Sequence, residues 1–239
     1  MSSHRLTQII EWVRETTDTN AGRGALVPVS GGSDSALCFW ICAQALPRGR
    51  VSAAYAGTQL RCREWFENLG QVHYLPEPPQ EGHPEAARWA SMLSLSMAVR
   101  GWLVGTRNRT EEVLGTYSLA SRVATYLPLA GLWKTEVMEL ARAVNVPAEI
   151  LASSRQADPS CGRPQEMADI PLEIVDEFLK IQVGERPRSS LSDLPQQVVA
   201  YLDSILRRNQ FKGGLPLRAP RAFSSVRSPS EDRGQSAGK

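Results

Sequence analysis

The sequence has few of the residues that staple or metallate a fold. Four cysteines (Cys38, Cys42, Cys62, Cys161) and three histidines (His4, His73, His83) are all it contains. No cysteine lies in a C-x-x-C pair and the histidines complete no zinc spacing, so motif gives neither a disulfide scaffold nor a zinc site. Charge of one sign is also scarce. Lys and Arg number 27 against 25 Asp and Glu, and the net charge of +2 is too small to make nucleic acid or a membrane surface an obligatory partner. No apolar run approaches the roughly 20 residues of a membrane span. The first residues enter an amphipathic segment with Glu11, Arg14 and Glu15 in place of an apolar leader core. These absences lead to the expectation of a cytoplasmic protein with reduced thiols.

What is present is an alternation of element types. Leu6, Ile9, Ile10 and Val13 recur at helical spacing over the first ~20 residues. Short apolar runs at 25–29, 51–56, 71–75, 102–104 and 126–129 read as strands. Helical patterns separate them: from Asp34 to the stop at Pro47, over 59–69 and over 85–100. Others follow at 134–143, 171–182 and about 195–210. Short buried strands joined by helices predict an α/β domain, an open parallel five-stranded sheet with helices on both faces. Residues 1–211 form that domain. The Arg/Ser/Pro/Gly-rich stretch 212–239 is expected to be a disordered tail, having too few large apolar residues to offset its ordering entropy. Trp12, Trp40, Trp89 and Trp102 lie within apolar segments and read as core, which argues against nucleic-acid stacking.

The segment Ser30-Gly31-Gly32-Ser33-Asp34-Ser35 follows the first strand and opens a helix. Such junctions lie at the carboxyl edge of a parallel sheet, where ligands bind. Consecutive glycines permit positive φ and close approach, and helix N-terminal amides attract phosphate. Ser33 and Ser35 can donate to phosphate oxygens, and Asp34 can hold Mg²⁺ against them. The Gly-Lys-Ser/Thr end of a Walker A loop is absent. An ordinary Ser/Gly turn with an Asp34 or Ser35 helix cap explains only part of the hexapeptide.

Ser-Gly-Gly-x-Asp-Ser resembles the signature of PP-loop ATP pyrophosphatases, which cleave ATP between the α and β phosphates. Gly105-Thr106-Arg107-Asn108-Arg109-Thr110-Glu111 resembles the Gly-Thr-Gly-Asn-Lys-Thr-Glu segment of NAD synthetases, and Leu127 to Val137 resembles that family's strand, loop and lysine-bearing helix. The resemblance implies an adenine nucleotide alpha hydrolase-like fold and an ammonia-dependent, AMP-forming amide ligase with ATP and Mg²⁺. The activity implied is adenylylation of an acceptor carboxylate (deamido-NAD or a related acid), then amidation by ammonia. By that resemblance Asp34, Glu111 and Lys134 are catalytic, and Asp34 and Glu111 hold the metal. Arg88, Thr106 and Lys134 join Ser30–Ser35 on ATP. Asp158, in a loose match to Pro-Ser-Ala-Asp-Leu, touches the acceptor. The resemblance also implies a homodimer.

The acceptor half departs from the family. Where NAD synthetases carry Thr-Lys-Tyr-Gly-Asp-Gly-Gly, this chain has Ser118-Leu119-Ala120-Ser121-Arg122-Val123-Ala124, without the Lys, the Asp or the glycines. Two other readings of the same nucleotide loop therefore stay open. One is a sulfur- or nitrogen-inserting enzyme using Cys161; the other is a nucleotide-binding homologue that has lost catalysis.

Overall fold

A computed structural model describes residues 2–19, 23–79, 81–153 and 165–214. Four parallel strands form one sheet in the order β3-β2-β1-β4: β1 (Gly24–Pro28), β2 (Val51–Ala56), β3 (Gln71–Leu75) and β4 (Gly101–Leu103). The expected fifth strand at 126–129 is reduced to a single parallel bridge between Val104 and Tyr126. Two ladder bonds survive there, Thr125 N–H to the Leu103 carbonyl at 2.7 Å and Gly105 N–H to the Tyr126 carbonyl at 2.9 Å. Pro128 has no N–H to extend the ladder, and the chain turns at 128–131 instead.

The β1 side chains alternate between two cores, as the period of two in a strand requires. Ala25 and Val27 join the main core with α1 (Ser2–Thr19), α2 (Ser33–Ala45), α6 (Lys134–Ala143) and α7 (Ala148–Ser153). Leu26 points the other way, to Ala54, Leu103 and Met92 of α4 (Pro84–Ala98). Helices thus cover both faces, which is why the strands read as unbroken apolar runs. A third cluster lies beyond the sheet. There α5 (Arg109–Leu114), α8 (Gln165–Ala168), α9 (Leu172–Gln182) and α10 (Gln196–Asn209) pack through Leu114, Met167, Phe178, Leu179, Leu202 and Ile205, while α3 (Arg63–Leu69) joins the main core through Phe66.

Two core assignments change. Trp12 is 43% exposed, because Leu6, Ile9 and Val13 form the buried stripe of α1 and Trp12 sits at its border, edge-on to Tyr126. Residues 212–214 belong to the fold: a 3₁₀ turn over Gln210–Gly214 docks on α5, where Asn209 Nδ2 donates to the Leu114 carbonyl at 3.1 Å. Composition hid this, since the contact is made by backbone and one lysine. The rest of the expected tail lies outside the described residues, as do Asp158 and Cys161.

Candidate active site

At the carboxyl edge the loops after β1 and β4 come together. Gly31 holds φ at +76°, and its missing Cβ lets the turn lie against Arg61. Gly32 is extended (φ −99°) and caps α2, so one glycine, not two, supplies the left-handed step. The serines brace the turn from within. Ser35 Oγ accepts from Ser30 N–H at 3.1 Å and donates to the Gly32 carbonyl at 3.0 Å, while Ser30 Oγ accepts from Gly32 N–H at 3.3 Å.

Asp34 leaves this loop toward two other elements. Asn108 Nδ2 donates to its Oδ1 at 2.8 Å, and the Lys134 ammonium pairs with Oδ2 while donating to Ser33 Oγ at 2.9 Å. Lys134 is only 7% exposed, so it is a buried partner of the loop and not a solvated surface charge. Asn108 also caps α5. Its side chain accepts from Glu111 N–H at 3.0 Å, and Glu111 Oε2 accepts from Asn108 N–H at 3.1 Å, a reciprocal capping box. One asparagine therefore orients both carboxylates. Burial of the carboxyl group, and then the charge of Asp34, push Glu111 up to about 7, while Lys134, the Asn108 N–H and Arg107 pull it down.

Behind Lys134 lies a buried network with Asp176 of α9 at its centre. Asp176 Oδ1 accepts from Thr110 Oγ1 at 2.6 Å, and Oδ2 accepts from Thr135 N–H at 2.8 Å. Thr110 Oγ1 in turn accepts from Lys134 N–H at 2.9 Å. Asp176 is fully buried and faces the N-terminus of α6, where the helix dipole favours a carboxylate. Sequence inspection passes over it, because one Asp in an amphipathic helix carries no local mark. Asn108 is marked, by the Asn-x-x-Glu of a capping box.

A cavity of about 740 Å³ opens beside this cluster, lined by Ser30, Arg88, Thr106 and Glu111 among others. Arg88 pairs with Glu85 at its rim. Of the expected site residues, Asp34, Glu111 and Lys134 meet in one cluster at the loop, and Arg88 and Thr106 share the cavity wall. The family model for NAD synthase matches residues 84–216, more than half of the chain.

The chain belongs to the NAD synthase family.

Likeness to individual members extends beyond that segment. The NH₃-dependent NAD⁺ synthetase of Pyrococcus furiosus is 24% identical, over 89% of this chain and 92% of that protein. The NH₃-dependent NAD synthetase of Campylobacter jejuni, solved with a nitrate ion, superposes with a TM-score of 0.74 at 19% identity, covering 92% of this chain and 99% of that one. The NMN synthetase of Francisella tularensis gives the same TM-score at 20% identity, covering 92% and 98%. These structures share the fold described above, and the expected family is borne out. Within that frame Ser118 and Ser121 of the cavity wall belong to the segment 118–124 that departs from the family pattern.

Proposed function

We propose that the protein is an ATP-dependent, AMP-forming NAD synthetase-like ligase that adenylylates the carboxylate of deamido-NAD or a related acid and then amidates it with ammonia. One observation carries this reading: a braced phosphate loop, two facing carboxylates and a buried lysine converge beside a cavity large enough for a nucleotide. The phosphates lie along the loop amides of 31–35 at the start of α2. An acceptor carboxylate oxygen attacks the α-phosphorus, and the bond to pyrophosphate breaks. Ammonia then attacks the acyl carbon, AMP leaves with the bonding pair, and the ammonium nitrogen sheds a proton to water. Lys134 opposes charge on the departing pyrophosphate, and Thr106 and Arg88 hold the nucleotide.

Mg²⁺ belongs to the proposal, and the donor set fits it. Asp34 and Glu111 offer hard oxygen donors; burial and then the charge of Asp34 raise Glu111, and a cation relieves both. No group of three or more metal-type ligands converges among the described residues, leaving phosphate and water to complete the shell. The metal would neutralise phosphate charge when bound. A homodimer and a cytoplasmic location complete the reading. The exposed apolar side chains Met97, Val99, Leu119 and Val123 support the first. Free thiols at Cys38, Cys42 and Cys62 support the second.

The test is mass-spectrometric detection of AMP with deamido-NAD, ammonia, ATP and Mg²⁺. Stoichiometric AMP and amide support the ligase. ATP binding without AMP over a panel of pyridine acids would refute it.

A further inference from the structure

We propose that Arg107 is the acceptor-binding cation of this enzyme, reading a phosphate on the acid that becomes amidated. The inference rests on the ligase reading above and assigns a residue to the phosphate of the acceptor.

Arg107 lies between Thr106 and the α5 cap, and its side chain is 12% exposed. It lines the same cavity as Ser30 and Glu111, on the wall formed with Thr116, Tyr117 and Ser118. Its guanidinium sits 4.2 Å from the centroid of the Tyr117 ring, and its Nε lies 2.8 Å from Glu112 Oε1. That contact is an ion pair without hydrogen-bond alignment, and Nη1, also buried, has no hydrogen-bond partner among the described residues. Glu112 balances the charge of the guanidinium but leaves buried N–H donors unmet, which is costly, and the planar fork matches phosphate oxygens two at a time.

The seat under Arg107 is fixed. Tyr117 donates its hydroxyl to the Lys212 carbonyl at 3.2 Å and accepts there from Arg122 Nη1 at 3.2 Å. The Lys212 ammonium donates to the carbonyls of Gly115 and Tyr117 at 2.7 and 2.9 Å. The cations around the seat therefore already have partners. Arg88 pairs with Glu85, Lys212 is committed to carbonyls, and Arg122 is committed to Tyr117 and the Lys212 carbonyl at 2.8 Å. Arg88, on the same cavity, is ion-paired to Glu85 without hydrogen-bond alignment, as Arg107 is to Glu112; of the cations packed on Tyr117, Arg107 is the one with open donors among the described residues.

Geometry then separates the two ends of the acceptor. Its carboxylate must reach the α-phosphorus over the Ser30–Ser35 loop, which leaves the phosphate for the Tyr117 side. The segment 118–124 has no lysine, and its one cation, Arg122, is spent on the Tyr117 hydroxyl and the Lys212 carbonyl; Arg107, reaching in from the β4 loop, supplies positive charge to the cavity beside it.

The experiment is calorimetric titration of the full chain, with Mg²⁺ and a non-hydrolysable ATP analogue. Nicotinic acid mononucleotide is compared with the matching nucleoside, which differs only in lacking phosphate. Wild type should bind the mononucleotide more tightly. Arg107→Ala should weaken it roughly 10- to 100-fold, leaving the nucleoside and the ATP analogue within about twofold. Arg107→Lys, which keeps charge but not the fork, should fall between and guards against a folding defect in the alanine variant. Equal losses for both acceptors, or a loss confined to the ATP analogue, would overturn the assignment. So would a wild type that does not distinguish the pair. Binding needs no turnover, so a phosphate-dependent difference without AMP formation would fail the ligase reading and leave the Arg107 site standing.

Discussion

Replacing Asp176 tests whether the buried network behind Lys134 holds the site together. Asp176→Ala removes the acceptor of Thr110 Oγ1 and of Thr135 N–H at a fully buried position. Each bond to a charged acceptor contributes about 1.5–3 kcal/mol. Losing two, with some relief from no longer burying a carboxylate, gives a net cost of about 3 kcal/mol. For a domain of this size, that corresponds to a fall in Tm of roughly 6–12 °C. Asp176→Asn separates charge from shape. Its Oδ1 can still accept from Thr135 N–H, but its amide then meets Thr110 Oγ1, which already accepts from Lys134 N–H and needs an acceptor for its own proton. About half the loss should remain. Thermal unfolding by circular dichroism measures both variants, and pyrophosphate release from the folded fraction reports whether Lys134 has lost its anchor. A Tm shift under about 2 °C for Asp176→Ala would show that the network does not carry the fold.

Lys134→Ala should cut pyrophosphate release by about 100-fold or more, since a positioned cation on developing phosphate charge is worth several kcal/mol. A loss under tenfold in a coupled pyrophosphate assay would remove Lys134 from the chemistry. Glu111 predicts a pH dependence opposite in sign to that of an ordinary salt-bridged carboxylate. Its folded value of about 7 lies above the usual 4.5, so the native state binds the extra proton and stability falls as pH rises across that window. Denaturant titrations from pH 4.5 to 7 without metal should show this slope, and Glu111→Gln should flatten it. Binding of Mg·ATP to the wild type should release a proton in the same window, seen as buffer-dependent calorimetric heat. Gly31→Ala should cost about 1–2 kcal/mol through its positive φ and weaken ATP binding; unchanged stability and affinity would show that the turn tolerates a Cβ.

The loop of Ser30 to Ser35 was legible because its geometry is local. A strand, a Gly-Gly turn with its serines and a helix start are contiguous, so Ser30 to Ser35 announce a phosphate loop by adjacency alone, and the Asn108–Glu111 capping box is equally local. The parallel sheet and its two helical layers followed from alternation of apolar runs. The fifth strand did not, because whether 126–129 pairs depends on partner backbone and on one proline N–H that is missing. Lys134 was matched by motif, but only the structure shows it buried against Asp34, a hundred residues away. Asp176, 66 residues from Thr110, had no signal at all. Periodicity and turn chemistry act over a few residues, so the sequence by itself determined the elements and the loop. Contacts across the sheet edge depend on how helices from distant segments dock. Only the tertiary structure decided that Asn108 would orient two carboxylates, that Asp176 would anchor the lysine, and that Arg107 would face the cavity with donors to spare.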